Sequence, residues 1–339
     1  MKYLITGGAG FIGSNLVAHF VKAGHSVTVY DNFSRRGSES NLEWLKGLLG
    51  DSFAVERADI RDAAAIARAA QGKDVILHMA GQVAVTTSVN DPRMDFEANA
   101  LGTFNVLEAA RAAGTQPIVM YSSTNKVYGG MEAARIVEAN GRYVFADLPL
   151  GVPETWPLDF HSPYGCSKGT GDQYVRDYHR IYDLPTVVFR QSAIYGPRQF
   201  GVEDQGWLAF FAISATVGRT FSIYGDGKQV RDLLHIDDLV LAYDAAIKHI
   251  DKTAGQVYNI GGGTERSLSV WTETRPLLEA LAGRELPVNF GDWRPGDQLV
   301  YLSDIRKAQA EFGWAPKIAP AEGLKTLWDW TQANKHLFV

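Results

Sequence analysis

Three features of the sequence predict an α/β fold: a doubly wound parallel sheet followed by a smaller mixed α/β domain. Short apolar runs of strand length alternate with helical stretches through the first half of the chain. A glycine-rich turn joins the first such run to the first helix. After about residue 190 the alternation gives way to an irregular mixture of helices, strands and glycine turns. Strands separated by helices of this length lie parallel, with helices on both faces of the sheet.

The elements follow in order. Lys2 to Thr6 is an apolar strand that runs into Gly7-Gly-Ala-Gly10-Phe11-Ile12-Gly13. Phe11 to Ala23 has helical periodicity, with Leu16, Val17, Phe20 and Val21 on the inward side. Strand, glycine turn and helix together form the Rossmann context, in which a pyrophosphate meets a helix N-terminus. A second strand from Ser26 to Tyr30 ends at Asp31, placed to accept both ribose hydroxyls of NAD and to repel a 2′-phosphate. The gap from Gly7 to Gly10 is one residue longer than in the commonest fingerprint. Phe53 to Glu56 leads to Asp59 and Ile60, where an acid and a backbone amide can meet the adenine. Asp74 to His78 is the fourth strand and runs into Met79-Ala80-Gly81-Gln82. One long helix is expected over about 92–113 with Asn99 inside it, then a strand from Pro117 to Tyr121.

The polar stretch 130–162 has no clean period and is expected to be a lid or an inserted surface hairpin. A helix beginning near Tyr164 and a strand from Thr186 to Arg190 complete the NAD-binding unit, assigned to 1–190, with parts of 235–265 returning to it. Residues 191–339 are assigned mainly to the substrate. There helices are expected at 206–217, 236–249, 268–281, 303–312 and 320–335, with strands at 221–224 and 257–260.

The net charge of −5 gives no sign of a nucleic-acid or anionic membrane partner. No apolar run reaches transmembrane length and no signal-peptide pattern opens the chain, so a cytoplasmic protein is expected. The single cysteine, Cys166, excludes an internal disulfide and is expected to be a small buried filler. The histidines show no ligand spacing, so no metal site is expected; His161 and His235 are read as structural.

The densest chemistry lies in His161-Ser-Pro-Tyr164-Gly-Cys-Ser-Lys168. Residues four apart share a helical face, so the Tyr164 phenol and the Lys168 ammonium project into one space. A free tyrosine loses its proton near pH 10, and a neighbouring cation favours the phenolate. Such a pair suits removal of a hydroxyl proton as the carbon beneath is oxidised.

The glycine loop, Asp31, Asp59-Ile60, Asn99, Ser123-Thr124, Tyr164/Lys168 and Tyr195-Gly-Pro197 occur in this order. With them the chain resembles the extended short-chain dehydrogenase/reductase family, in particular its NAD-dependent nucleotide-sugar epimerases and dehydratases. The segments 122–129, 158–169, Arg198-Gln-Phe and Asp204-Gln-Gly-Trp207 resemble, more narrowly, epimerases that invert C2 of CDP-sugars. The resemblance implies a Rossmann domain, a sugar held in the cleft below it, and a homodimer or homotetramer built on helices near 92–113 and 164–182. It implies that Thr124, Tyr164 and Lys168 are catalytic. For NAD it implies Gly7, Gly10, Phe11, Ile12, Gly13, Asp31, Asn32, Ser34, Arg35, Asp59, Ile60, Met79, Ala80, Gln82, Asn99 and Ser122, with Tyr164 and Lys168. For the CDP-sugar it implies Thr124, Asn125, Lys126, Ser192, Gln199, Gln205 and Tyr224, with Arg231 and Arg294 on the diphosphate. In the family's dehydratases an Asp-Glu pair follows the Thr124 position; here Asn125 and Lys126 stand there, which disfavours loss of water. Two other readings remain: 4-epimerisation of a UDP-sugar, and an idle NAD-binding regulator, against which the intact Thr124, Tyr164 and Lys168 argue.

Overall fold

The computed structural model describes residues 1–294 and 297–339. Seven strands form one sheet: β1 (Lys2–Thr6), β2 (Ser26–Asp31), β3 (Phe53–Arg57), β4 (Val75–His78), β5 (Ile118–Thr124), β6 (Thr186–Gln191) and β7 (Gln256–Ile260). Their order is β7-β6-β5-β4-β1-β2-β3, and every neighbouring pair is parallel. The order reverses between β1 and β4, which opens a crevice at the carboxyl ends of the strands.

Side-chain alternation sends each strand's residues to two separate cores. Tyr3, Ile5, Leu77, Met120 and Phe189 pack on one face against the helices Phe11–Lys22 and Ile236–Lys248. Leu4, Ile76, Val119 and Val188 pack on the other against Ile66, Val106, Leu107 and Val175. Two helices missing from the sequence expectation, Ser38–Leu49 and Ala63–Ala70, complete the crossovers.

The long helix expected over 92–113 is interrupted. It runs as Pro92–Phe96, a π-helical turn at Glu97–Leu101, and Gly102–Arg111. π turns in long helices cluster at functional sites because they re-aim one side chain; here that residue is Asn99.

The second half is a mixed unit. Phe221–Tyr224 pairs in parallel with Val288–Gly291. Val230–His235, which the sequence did not suggest as a strand, pairs with Ser267–Ser269, Val300–Tyr301 and Ala193–Tyr195. The helix expected from 268 therefore begins only at Thr274, because Ser267–Ser269 is drawn into antiparallel pairing. The helix expected from 303 begins at Arg306. The strand Gln256–Ile260 joins the large sheet beside β6. The stretch 130–162 contains a hairpin, Ile136–Ala139 with Arg142–Phe145. It is fastened to the second half by Lys228–Glu138 at 2.7 Å, Arg142–Glu273 at 3.0 Å, and a Tyr143 hydroxyl donating to Asp226 at 2.7 Å.

Candidate active site

The crevice begins at the glycine loop. Gly7 has φ +65°, and a side chain there would collide with the backbone of Ala80. A Cβ on Gly13 would lie 2.1 Å from the Gly7 carbonyl oxygen, so the helix Phe11–Lys22 packs directly on the loop. That helix has Gly10 at its N-cap and no capping side chain, leaving first-turn amides of Phe11 and Ile12 free to face an anion. Asp31, at the end of β2, accepts the amides of Ala9 at 3.0 Å and Phe33 at 2.8 Å. Burial pushes its carboxyl above the usual range, and those two bonds oppose the shift. Asn32 donates to Asp59 at 2.8 Å and accepts from Ser34, while Arg61 holds Asp59 down at about 2. The Ile60 carbonyl accepts from Asn105 at 3.0 Å. Met79 and Ala80 are tied to Thr6 at the mouth of β1, and Gln82 closes a local turn with Ala84.

Tyr164 and Lys168 lie on the helix Ser162–Tyr182, both buried, and Thr124 ends β5 beside them. The Thr124 hydroxyl is within hydrogen-bonding reach of Tyr164. The Lys168 ammonium donates to the Ser122 carbonyl and lies 4.4 Å from the centre of the Tyr121 ring. These contacts alter the electrostatics expected from the sequence. Burial dominates, pushing Tyr164 up to about 12 and Lys168 down to about 7. The Lys168 ammonium is turned toward the Ser122 carbonyl; Thr124 and Arg35 favour the ionised form of the phenol, and the Asp95 charge opposes it.

A polar chain missed by the sequence reading supports Asn99. The Ala80 amide donates to Thr6 Oγ1 at 3.2 Å, and Thr6 meets His78 Nδ1 at 2.8 Å. His78 Nε2 meets Thr103 Oγ1 at 3.0 Å, which donates to the Asn99 carbonyl at 2.6 Å. The direction of the two outer bonds assigns the proton to His78 Nε2, and burial holds this ring neutral, down to about 3. A second network underlies Thr124: Ser123 donates to Asp172 at 2.9 Å, and Arg190 grips Asp172 with two bonds of 2.9 Å while reaching Tyr128 at 3.0 Å. Only spatial proximity signals either network.

Directly after Thr124, Asn125 donates to Gln298 at 3.1 Å, and Lys126 is pushed down to about 8 by burial, aided by the Arg231 charge. Arg231 pairs with Asp297 at 2.6 Å, and Ser192 donates to the Asp232 carboxylate. Arg294 lies 3.8 Å from the Tyr224 ring centre and 3.5 Å from Asp204, and Tyr224 donates to Glu203 at 2.6 Å. Gln205 accepts from Arg35 at 2.6 Å, a bridge between the two halves. Gln199 is buried, donating to the Ile194 carbonyl at 3.2 Å. Of the expected substrate residues, Arg231 thus lies with Lys126, and Arg294 with Tyr224 in a separate cluster. Cys166 is exposed and is no core filler. It sits two positions after Tyr164, about 200° around the helix and therefore on its outer side. His235 caps the following helix and bonds Thr326 at 2.9 Å. Exposed His161 stands 3.1 Å from Asp159, with Glu132 adjacent.

A glycine-loop crossover, a π turn bearing Asn99 and a buried Thr-Tyr-Lys group together define an extended short-chain dehydrogenase/reductase. Residues 4–327 match the GDP-mannose 4,6 dehydratase family profile, and the chain belongs to that family. It is 44% identical to a CDP-paratose 2-epimerase of Salmonella typhi, over 98% of this chain and 100% of that one. It is 35% identical to a UDP-glucose 4-epimerase of Mycolicibacterium smegmatis, over 96% of each chain. A dTDP-glucose 4,6-dehydratase from Streptomyces venezuelae, solved with NAD, superposes with a TM-score of 0.84 at 30% identity, covering 99% of this chain and 98% of that one.

Proposed function

We propose that this protein is an isomerase that inverts C2 of a CDP-sugar through a transient 2-ketone, with NAD held at the glycine loop and its adjoining residues. The observation that carries the reading is Thr124, Tyr164 and Lys168 gathered at the end of β5 with Asn125 and Lys126, rather than two carboxyls, beside them. The full-length likeness to the CDP-paratose 2-epimerase supports C2 and cytidine.

The chain fits the cofactor. The uncapped helix above the glycines suits a pyrophosphate, Asp31 suits a diol, and Asn99 Oδ1 is buried without a hydrogen-bond partner among the described residues. Gly7 to Gly13, Asp31, Asn32, Ser34 and Arg35 would hold the adenosine side with Asp59 and Ile60. Met79, Ala80, Gln82, Asn99, Ser122, Tyr164 and Lys168 would hold the nicotinamide side. When bound, NAD supplies reversible oxidation of the sugar carbon.

A C2 hydrogen with no adjacent carbonyl is too weakly acidic for direct removal, so the residues must act on the hydroxyl. Tyr164, as the phenolate that Thr124 and Arg35 favour, takes the hydroxyl proton and gives it back, and Thr124 donates or relays a hydrogen bond to the reacting oxygen. Arg231 and Arg294 offer planar guanidinium groups to the diphosphate, exchanging their present carboxylate partners for it. Asn125, Lys126, Ser192, Gln199, Gln205 and Tyr224 complete the nucleotide-sugar wall, which the segment 191–339 mainly provides. Asn125 and Lys126 cannot act as carboxyl acid and base, so water is retained.

The test is incubation with CDP-paratose, CDP-glucose and UDP-glucose, following the sugar protons by NMR. Inversion at C2 of a CDP-sugar is expected. Inversion at C4 of UDP-glucose in its place would overturn the proposal in favour of the 4-epimerase reading.

A further inference from the structure

Asp95 belongs to none of the groups assigned above, yet it is wholly buried on the short helix Pro92–Phe96, against the helix that carries Tyr164 and Lys168. An isolated buried carboxylate is costly and persists only where neighbours use its charge or its acceptors. Burial strengthens its hold on a proton, and the Ser167 hydroxyl, the Asn99 side-chain amide donating to Oδ1 at 3.0 Å and the Lys168 charge oppose that shift in favour of the ionised form.

We propose that Asp95 is the positioning residue of the reactive pair, orienting the Asn99 amide and supplying the buried negative charge that keeps Lys168 an ammonium. The inference rests on the proposed chemistry for its purpose, but its structural content stands apart from any substrate.

The first part follows from donor and acceptor chemistry. An ionised carboxylate only accepts, so it must face Asn99 Nδ2 rather than Oδ1. Nδ2 donates again to the Gln82 carbonyl at 3.0 Å, which uses both amide hydrogens. Oδ1 is thereby turned the other way. It lies 2.5 Å from the point a Cβ on Gly81 would occupy, and Lys168 Nζ lies 4.0 Å from the same point. Asp95 and the Gln82 carbonyl together fix which end of Asn99 shares space with the lysine.

The second part follows from the charges facing Lys168. From its own helix come Asp172 and Tyr164, from β4 His78, from β5 Tyr121, and from the helix before the π turn Asp95. His78 is held neutral by burial, and burial keeps Tyr121 and Tyr164 as phenols. Asp172 is already committed to Arg190 and Ser123. Asp95 is the first of the groups that raise the Lys168 affinity for its proton, against a burial effect that brings it down to about 7.

The test uses Asp95→Asn, which keeps an acceptor for Asn99 but removes the charge, and Asp95→Ser, smaller and also neutral, should the first not fold. Lys168 protonation is read directly from the 13Cε shift of labelled lysine during a pH titration of the folded protein, with Lys168→Arg assigning the signal. The midpoint is expected to fall by about one pH unit, a tenfold weaker hold on the proton. A variant titration superimposing on the parent would overturn the proposal. Because that titration needs no substrate, its outcome is separate from failure of the epimerase reading, which would show as absent turnover in the parent itself.

Discussion

Tyr164 is a phenol at the floor of the cleft, and burial makes it hold its proton more firmly than water would. Reactivity must therefore come from its surroundings, and Thr124 and Arg35 are the groups already placed to favour the phenolate. Tyr164→Phe removes the proton acceptor and leaves the ring's packing in place. It is expected to lower kcat by about 10²- to 10⁴-fold, with NAD still held by the glycine loop and Asp31 in the purified protein. Steady-state kinetics beside a cofactor assay decide this; an unimpaired kcat would remove Tyr164 from the chemistry. At this scale much of the site was legible. The glycine loop, Asp31 and the Tyr164/Lys168 spacing are local patterns, and the chain folds them where such patterns belong. Lys168 was legible as a partner in space, but its bond to the Ser122 carbonyl was not, because that depends on β5. The outward position of Cys166 was available from helical geometry, since two residues after an inward tyrosine lies the opposite face.

The elements carrying these residues are held by buried polar networks that no linear pattern announces. Arg190 on β6 and Asp172 on the catalytic helix are 18 residues apart in sequence and bond through two nitrogens at 2.9 Å, with side chains 2% and 0% exposed. Their pair fixes the helix against β5 and β6 next to Thr124. Arg190→Met would leave the Asp172 charge buried and unpaired, at a cost of about 3–5 kcal/mol in stability. Urea denaturation measures this, and the double variant with Asp172→Leu should recover much of the loss. A loss below about 1 kcal/mol in the single variant would mean that the pair is not what holds the helix. The π turn at Glu97–Leu101 has the same character. Asp95 and Asn99 stand four apart, a spacing visible in the sequence, but the bonds of Asn99 to Gln82 and Thr103, and of Thr103 to His78 on β4, are not. Val230–His235 was missed for a related reason: its partners are three short strands remote in the chain, so its strand character is a tertiary property.

For the whole molecule, β1 to β6 were readable from alternation, β7 only as a strand in a stretch expected to return to the sheet, and the rest of the mixed second half only in fragments. One flank bears on assembly. Phe104 and Tyr174 are 40% and 47% exposed with ring centres 6.1 Å apart, and the ladder continues through Tyr178 to Tyr182. Phe104, Tyr174 and Tyr182 are the exposed members, with Tyr178 buried between them, and exposed rings on these two helices suit a partner copy. A homodimer or higher homo-oligomer is expected by light scattering, with Phe104→Glu shifting it to monomer; a parent that stays monomeric at every concentration would contradict this. No helix among the described residues is long and apolar enough to cross a membrane. The central claim is inversion by oxidation and return at one carbon, and a CDP-sugar deuterated at C2 tests it most directly. Reaction in ordinary water, followed by mass spectrometry and NMR, should give the C2 epimer with its deuterium still at C2. Epimer formed with the deuterium lost to solvent would contradict the account, since it would mean that the hydrogen left as a proton.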